Sequence, residues 1–386
     1  MPYHQTPMKI TVAVPTIAGR SKYLQWALKT CVTQDHDFEI LVSDNSPGDA
    51  REVVESFDDP RIRYVRPPAY LPMSAHWDFV LTQVAGDLLT IIGDDDGLMP
   101  GCIRRVGEIH QELCGIFPIH HSLGNYRWSD FPDEATRHTF SFLHSPGRGI
   151  NEVNSSAFLK AVARGDARYV DGPMVYHNFV PMSLLRRLTR NGVFFRRASP
   201  DVYSSLAVAA NVPRFVSTEE VLTIFGQGAQ ANGVAVRDGG AERFMVEMQT
   251  LYTPRYDSRT VQLQLLDSLI EVAQHFDRPE LLADLRQAQH VAQAISEARG
   301  MQPPLRDQEV RKIIAMARRH GLTAALGLAI TRRKLAYILQ LARGSRLTQG
   351  QALAAGKVIK LDSHRITNVF DATVAVQRII RDAHCS

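Results

Sequence analysis

Apolar and polar positions along the first half of the chain alternate between short β-like runs and helical stretches. Lys9–Thr16 (KITVAVPT) reads as a buried strand, and Ser21–Val32 as a helix with Leu24, Ala27, Leu28 and Cys31 on one face. Phe38–Val42 is a second strand, stopped by Ser43-Asp44-Asn45-Ser46-Pro47-Gly48, a run of turn formers. A helix over Ala50–Phe57, a strand over Ile62–Arg66 and a helix over Ser74–Val84 lead to the apolar run Leu88–Ile92. Strands alternating with helices imply an α/β fold with a mixed, mostly parallel sheet and crossover helices.

Past Pro100 the pattern predicts another helix and a strand over Cys114–Ile119, then a turn-rich aromatic and polar stretch at 120–150. Residues 154–165 and 200–210 read as helices and Arg214–Phe225 as a strand. Gln227–Gly240 is rich in Gly and Ala and suits a flexible loop or lid. After about residue 258 the spacing is helical throughout, for example Leu265, Leu266, Leu269, Ala273 and Phe276. Met301–Leu305, with two prolines, breaks that region, and Gly321–Arg343 carries Arg332-Arg333-Lys334. The expected organisation is a first domain over 1–225, a linker over 226–257 and an all-α region over 258–386.

Charge sharpens this division. Residues 301–386 hold 15 Lys and Arg against 5 Asp and Glu, whereas residues 1–300 hold 29 against 35. The basic tail suits either a solvated helical face or an anionic partner, lipid or nucleic acid. No apolar stretch approaches the roughly 18 residues of a membrane span, and Met1–Thr6 lack a signal-peptide pattern. Cys31, Cys102, Cys114 and Cys385 have no paired spacing, so they read as free thiols in a reducing compartment. A cytoplasmic protein is expected.

The chemistry concentrates where the strand Leu88–Ile92 runs into Gly93-Asp94-Asp95-Asp96-Gly97. Three adjacent carboxylates repel one another, and a hard divalent cation such as Mg²⁺ or Mn²⁺ relieves that repulsion through oxygen ligands. Open parallel sheets bind ligands at the carboxyl ends of their strands. Two further strands end in Pro15-Thr16, with Arg20 shortly after, and in Ser43-Asp44-Asn45. A carboxylate at such a rim accepts the imide N–H of a pyrimidine, or caps its own turn.

Val14-Pro15-Thr16…Arg20, Leu41-Val42-Ser43-Asp44-Asn45 and Ile92-Gly93-Asp94-Asp95-Asp96-Gly97 resemble, in content and order, the family 2 glycosyltransferases of the GT-A fold. The helix bearing Trp77 before the acids and the proline after them extend the likeness over about residues 8–225. The resemblance implies a nucleotide-diphosphate sugar donor, a UDP-sugar being favoured, and Mn²⁺ or Mg²⁺. By it, Asp44 contacts the base, and Pro15, Thr16 and Arg20 line the nucleotide pocket. Asp94–Asp96 take the place of the DXD motif. Gly93 stands where many members place the first acid, so Asp95 becomes the metal contact, with Asp94 near ribose or metal and Asp96 a ligand or its support.

An inverting transfer needs a base for the acceptor hydroxyl, and Asp201 in Ser199-Pro200-Asp201 resembles that residue, although a helix cap fits the same pattern. His177 is a candidate for the metal or diphosphate. Tyr126, Arg127 and Trp128, followed by Asp130, offer faces and charges suited to a sugar acceptor or to core packing. His120-His121 has no partner at metal-ligand spacing. The acceptor is expected to be a saccharide or a lipid-linked glycan in cell-surface polysaccharide or glycoconjugate assembly. The basic helices would then touch an anionic membrane peripherally, pack on the catalytic domain or form a homo-oligomer, and nucleic acid is not expected. The competing readings are a sugar-nucleotide nucleotidyltransferase, disfavoured by the glycine-poor Pro15–Arg20 loop, and a non-catalytic nucleotide-sugar-binding scaffold.

Overall fold

The computed structural model describes residues 8–331 and 357–385, apart from 47, 114, 116, 232 and 234–241. Most of the Gln227–Gly240 loop, the Arg332-Arg333-Lys334 run and Cys114 therefore lie outside the described residues, as do Met1–Thr6.

Strands β1 (Ile10–Thr16), β2 (Glu39–Asp44), β3 (Ile62–Val65) and β4 (Leu88–Ile91) form a parallel sheet in the order β3-β2-β1-β4. A two-residue antiparallel strand, β9 (Val180–Pro181), closes its edge. Side chains alternate between the two faces, as the pleat requires. Ala13, Leu41, Leu89 and Ile91 pack beneath α3 (Met73–Gln83), α5 (Ser155–Arg164) and α7 (Pro200–Ala210). Val12, Val14, Ile40, Val42 and Leu88 pack against α1 (Ser21–Val32), α2 (Ala50–Glu55) and α4 (Cys102–Glu112). Cys31 and Cys102 are buried free thiols within that second layer.

A second sheet is mixed. Its long strands β6 (Ile119–Arg127) and β10 (Arg214–Gln227) run parallel. Around them lie β5 (Gly97–Leu98), β7 (Thr139–Phe142), β8 (Ile150–Asn154) and β11 (Val358–Lys360). The strand expected over Cys114–Ile119 instead begins at Ile119 and continues through the stretch read as turns. Its two histidines are buried because partners satisfy them, as Ser217 does for His120 at 2.8 Å. The short helix α6 (Met182–Leu188) and strands β5 and β9 give too few residues for a period to show.

Beyond β10 come α8 (Glu242–Leu251), α9 (Val261–His275), α10 (Gln287–Ala298) and α11 (Leu305–Arg319). α9 packs on α7, and α9, α10 and α11 share an apolar core of their own. Among the described residues after 258 the regular elements are helices apart from β11, which pairs with β7. The final helix, α12 (Val369–Cys385), returns to lie on α1. Among the described residues no helix is long and apolar enough to cross a membrane.

Candidate active site

Parallel pairing sets Thr16 beside Asp44 and Ala13 beside Ile91, so the carboxyl ends of β2, β1 and β4 share one rim. The Thr16 hydroxyl donates to Asp94 Oδ2 at 2.7 Å. Arg20, at the start of α1, donates from Nε to both Asp94 oxygens at 2.7 and 2.8 Å. Its Nη2 stands 2.6 Å from Asp94 Oδ1 and 3.2 Å from Asp95 Oδ1, and its Nη1 donates to the Gln230 carbonyl at 2.7 Å. Burial disfavours the Arg20 charge, but Asp94 and Asp95 outweigh it and raise its pKa.

The three acids have separate duties. Asp96 faces inward and accepts from the Gly93 amide at 2.5 Å, the Tyr176 hydroxyl at 2.6 Å and the Gly226 amide at 2.7 Å. His177 Nε2 lies 3.2 Å from the same carboxylate. Burial pushes the Asp96 carboxyl up, but His177, Tyr176 and Gly226 together bring it below the usual range. Asp95 is held differently. Its carbonyl accepts from Trp128 Nε1 at 3.0 Å and sits so close to Gly226 that any Cβ there would collide with it. Its Oδ2 is buried with no hydrogen-bond donor among the described residues. Burial raises the Asp95 carboxyl to about 7, Arg20 pulling against it and Asp96 and Asp94 adding to the rise.

The expected metal set of Asp95, Asp96 and His177 lies together at the turn, and His177 Nε2, like Asp95 Oδ2, is buried without a hydrogen-bond partner among the described residues. Asp96 is consumed by protein donors, and His177 Nδ1 pairs with Thr223 Oγ1 at 2.7 Å. Among the described residues no three His, Cys, Asp or Glu side chains converge as a ready metal cage. The orphaned Oδ2 of Asp95, with Asp94 beside it, is the one feature of the triplet that fits a cation, and it favours the Asp95 assignment.

Asp44 is fully buried. Its Oδ2 accepts from the Tyr64 hydroxyl and from Arg66 Nη2, each at 2.6 Å, and the Ser46 amide donates to Oδ1 at 3.2 Å. Pro15 is half-buried next to Thr16 on β1. Asp201 lies in the first turn of α7 behind Pro200, with no side-chain cap from Ser199. Burial raises its carboxyl above the usual range, while the Val202 amide and the Tyr169 hydroxyl pull against that rise. His177 acts electrostatically on both Asp96 and Asp201, and Tyr176 feels both carboxylates. The 175–177 segment, bridged to Ile91, thus links the acidic turn to the start of α7.

Of the expected acceptor group, the Tyr126 and Trp128 rings lie 5.9 Å apart. Tyr126 and Trp128 are buried in a cluster sealed by Val369, Ala372 and Val376 of α12. Arg127 stacks on Phe131 at 4.7 Å. Trp128 supports the Asp95 carbonyl. Asp130 ties Lys22, Tyr23 and the Ala229 amide together. His121 is buried against the His177 carbonyl. Tyr176, Tyr169 and Gly226 were not singled out from the sequence. Tyr176 had a weak pointer, adjacency to His177, and Gly226 had none.

The family model for glycosyl transferase family 2 matches residues 11–142. A stretch of 103 residues is 37% identical to the GalNAc(5)-diNAcBac-PP-undecaprenol β-1,3-glucosyltransferase of Campylobacter jejuni, covering 25% of this chain and 33% of that enzyme. The match thus spans about a third of the length of that relative. The S. aureus TarS 1–349 complex with UDP-GlcNAc aligns at 15% identity and a TM-score of 0.44, over 81% of this chain and 92% of that one. A mannosyltransferase of Pyrobaculum calidifontis, in complex with GDP-Man and Mn²⁺, aligns at 15% and 0.37, over 82% and 89%. Residues 11–142, with the strand ends that carry Thr16, Arg20, Asp44 and Asp94–Asp96, are thus the part of the chain that is similar to glycosyl transferase family 2.

Proposed function

We propose that this protein is a metal-dependent, inverting glycosyltransferase that moves a sugar from a nucleoside-diphosphate donor to a hydroxyl of a saccharide or lipid-linked acceptor. The observation that carries the reading is the convergence of Thr16, Arg20, Asp94 and Asp95 on one rim, with a buried Asp95 oxygen left without a partner. Asp95, with Asp94, would hold the Mn²⁺ or Mg²⁺. Such an ion supplies Lewis-acid stabilisation of the departing diphosphate. A UDP-sugar is favoured by the family resemblance, in which Asp44 contacts the base; its carboxylate is held here by Tyr64, Arg66 and the Ser46 amide, which a uracil imide would have to displace. The lipid-linked option draws on the undecaprenyl-diphosphate substrate named for the Campylobacter enzyme.

In this reading Thr16 and Arg20 orient Asp94, and Arg20 brings positive charge to the phosphate end of the site. Arg20 also ties down the Gln230 backbone. Asp201 takes the acceptor proton. Its raised pKa brings it nearer the working pH, where a carboxylate is a more effective base. The division into a catalytic unit over 1–225, a linker over 226–257 and helices over 258–386 remains our proposal, with α12 folded back onto the catalytic unit. Peripheral contact of the basic tail with an anionic membrane belongs to the same proposal.

A thermal-shift panel of UDP, GDP and their sugars, with and without Mn²⁺, tests the reading. A UDP-sugar should raise the melting temperature only with the metal present, by an amount that grows with ligand concentration. Transfer of that sugar to an extracted lipid-linked glycan then reads the activity. No shift with any nucleotide sugar would overturn the proposal.

A further inference from the structure

One cavity is lined by none of the residues of the acidic turn. It encloses about 410 Å³ between α3, the segment 193–197 and the end of α8, within the size range of small-ligand sites. Arg190 and Val193 exchange backbone hydrogen bonds at 3.1 and 3.0 Å across Asn191 and Gly192. Both turn residues have positive φ, 52° and 77°, the geometry of a tight, primed hairpin turn. The hairpin is pinned to α3 because Asp78 Oδ1 accepts the amides of Phe194 and Phe195 at 2.8 and 3.1 Å. Val193 and Leu251 stand exposed at the mouth, 39% and 58% accessible.

The lining is charged yet balanced. Arg196 Nε is 3.0 Å from Glu271, and Arg197 reaches Glu271 at 2.5 Å and Asp267 at 3.4 Å. Burial raises the Asp78 carboxyl to about 7, against the two amides that lower it. Such a floor gives no net attraction to an anion or a cation. It offers fixed donors and acceptors beside the half-buried Tyr252 ring, the combination that suits the hydroxyls and a C–H face of a neutral sugar. A smaller cavity shares Arg197 and Tyr252 with the first and runs on to Ser199. Ser199 is the cap of the helix that begins with Pro200 and Asp201.

We propose that this groove is a saccharide-binding subsite, holding units of a neutral glycan acceptor at a distance from the hydroxyl that receives the new sugar. The proposal rests on the glycosyltransferase reading for the word acceptor, and its test separates the two. The full-length protein is titrated with neutral homo-oligosaccharides of glucose, N-acetylglucosamine and N-acetylgalactosamine, one to five units long, and binding is read by saturation-transfer NMR without any donor. At least one series should bind about tenfold more tightly at three or more units than at one. Val193→Trp and Leu251→Trp, both at exposed positions, should fill the mouth and abolish that gain while the melting temperature and the UDP–Mn²⁺ response stay unchanged. Absence of any length dependence, or full binding in both tryptophan variants, would overturn the subsite. Length-dependent binding without transfer from any donor would uphold the saccharide site and overturn the activity.

Discussion

Arg20 grips Asp94 through three contacts of 2.6 to 2.8 Å, and the same guanidinium touches Asp95 at 3.2 Å. A single protein cation thus offsets part of the charge of the two carboxylates that a divalent ion would use, and the two cations would compete for them. Arg20→Met should leave the acids uncompensated and cost about 3 kcal/mol of stability, the scale for breaking a buried ion pair. Added Mn²⁺ should restore more stability in the variant than it adds to the parent. Urea unfolding with and without Mn²⁺ measures both, and a metal response equal in the two proteins would separate Arg20 from the metal site.

The strand ends were legible because each local signal was strong: an apolar run, then a turn former or an acid. The sorting of the three acids was not. Asp96 turns inward because the Gly226 amide, 130 residues away, and the Tyr176 hydroxyl, 80 away, meet it there. Nothing near Asp96 in the sequence records those partners. The burial of Tyr126 and Trp128 is hidden from the sequence for the same reason. Aromatic residues among polar ones resemble a sugar platform until α12, contributed by the far end of the chain, covers them.

Gly93 departs from the family pattern, and its surroundings give the reason. A Cβ there would lie 2.8 Å from Asp96 Oδ2, 3.0 Å from Asp95 Oδ1 and 3.1 Å from the Tyr176 hydroxyl. Gly93→Ala should cost about 1–3 kcal/mol through overpacking. Gly93→Asp, which restores the usual acid, should cost more, since it adds a fourth carboxylate to the turn, and it should lose metal-dependent UDP binding. Circular-dichroism melts and calorimetric titration with UDP and Mn²⁺ check this. Wild-type binding by Gly93→Asp would show that the turn has room the geometry denies.

Asp201 is either the acceptor base or a cap, and pH separates the roles. Asp201→Asn should keep UDP-sugar affinity while transfer falls by on the order of 10²–10⁴. Tyr169 lowers the Asp201 pKa by hydrogen bonding to the carboxylate. Tyr169→Phe removes that support, so the base should stay protonated to higher pH. The acid limb of the kcat/KM profile should therefore move upward, with the plateau reached at higher pH. An unmoved limb, together with near-normal transfer by Asp201→Asn, would reduce Asp201 to a cap.

Asp78 should make stability depend on pH, because burial raises its folded pKa to about 7 from an ordinary 3.8. Between those values the folded chain keeps a proton that the unfolded chain has released, so raising the pH favours unfolding. The contribution is fully present below about pH 4 and is lost by about pH 7. Asp78 borders an open cavity, so the total is smaller than the roughly 4 kcal/mol of a fully desolvated shift, and about 2 kcal/mol is expected. Asn at this position still accepts the Phe194 and Phe195 amides but has no proton to lose. The stability of Asp78→Asn relative to the parent should therefore rise by about 2 kcal/mol between pH 4.5 and pH 8. Urea unfolding of both proteins at the two pH values reads the difference directly. Parallel curves would mean that Asp78 titrates as an ordinary carboxylate and that the hairpin, not burial of charge, sets its environment.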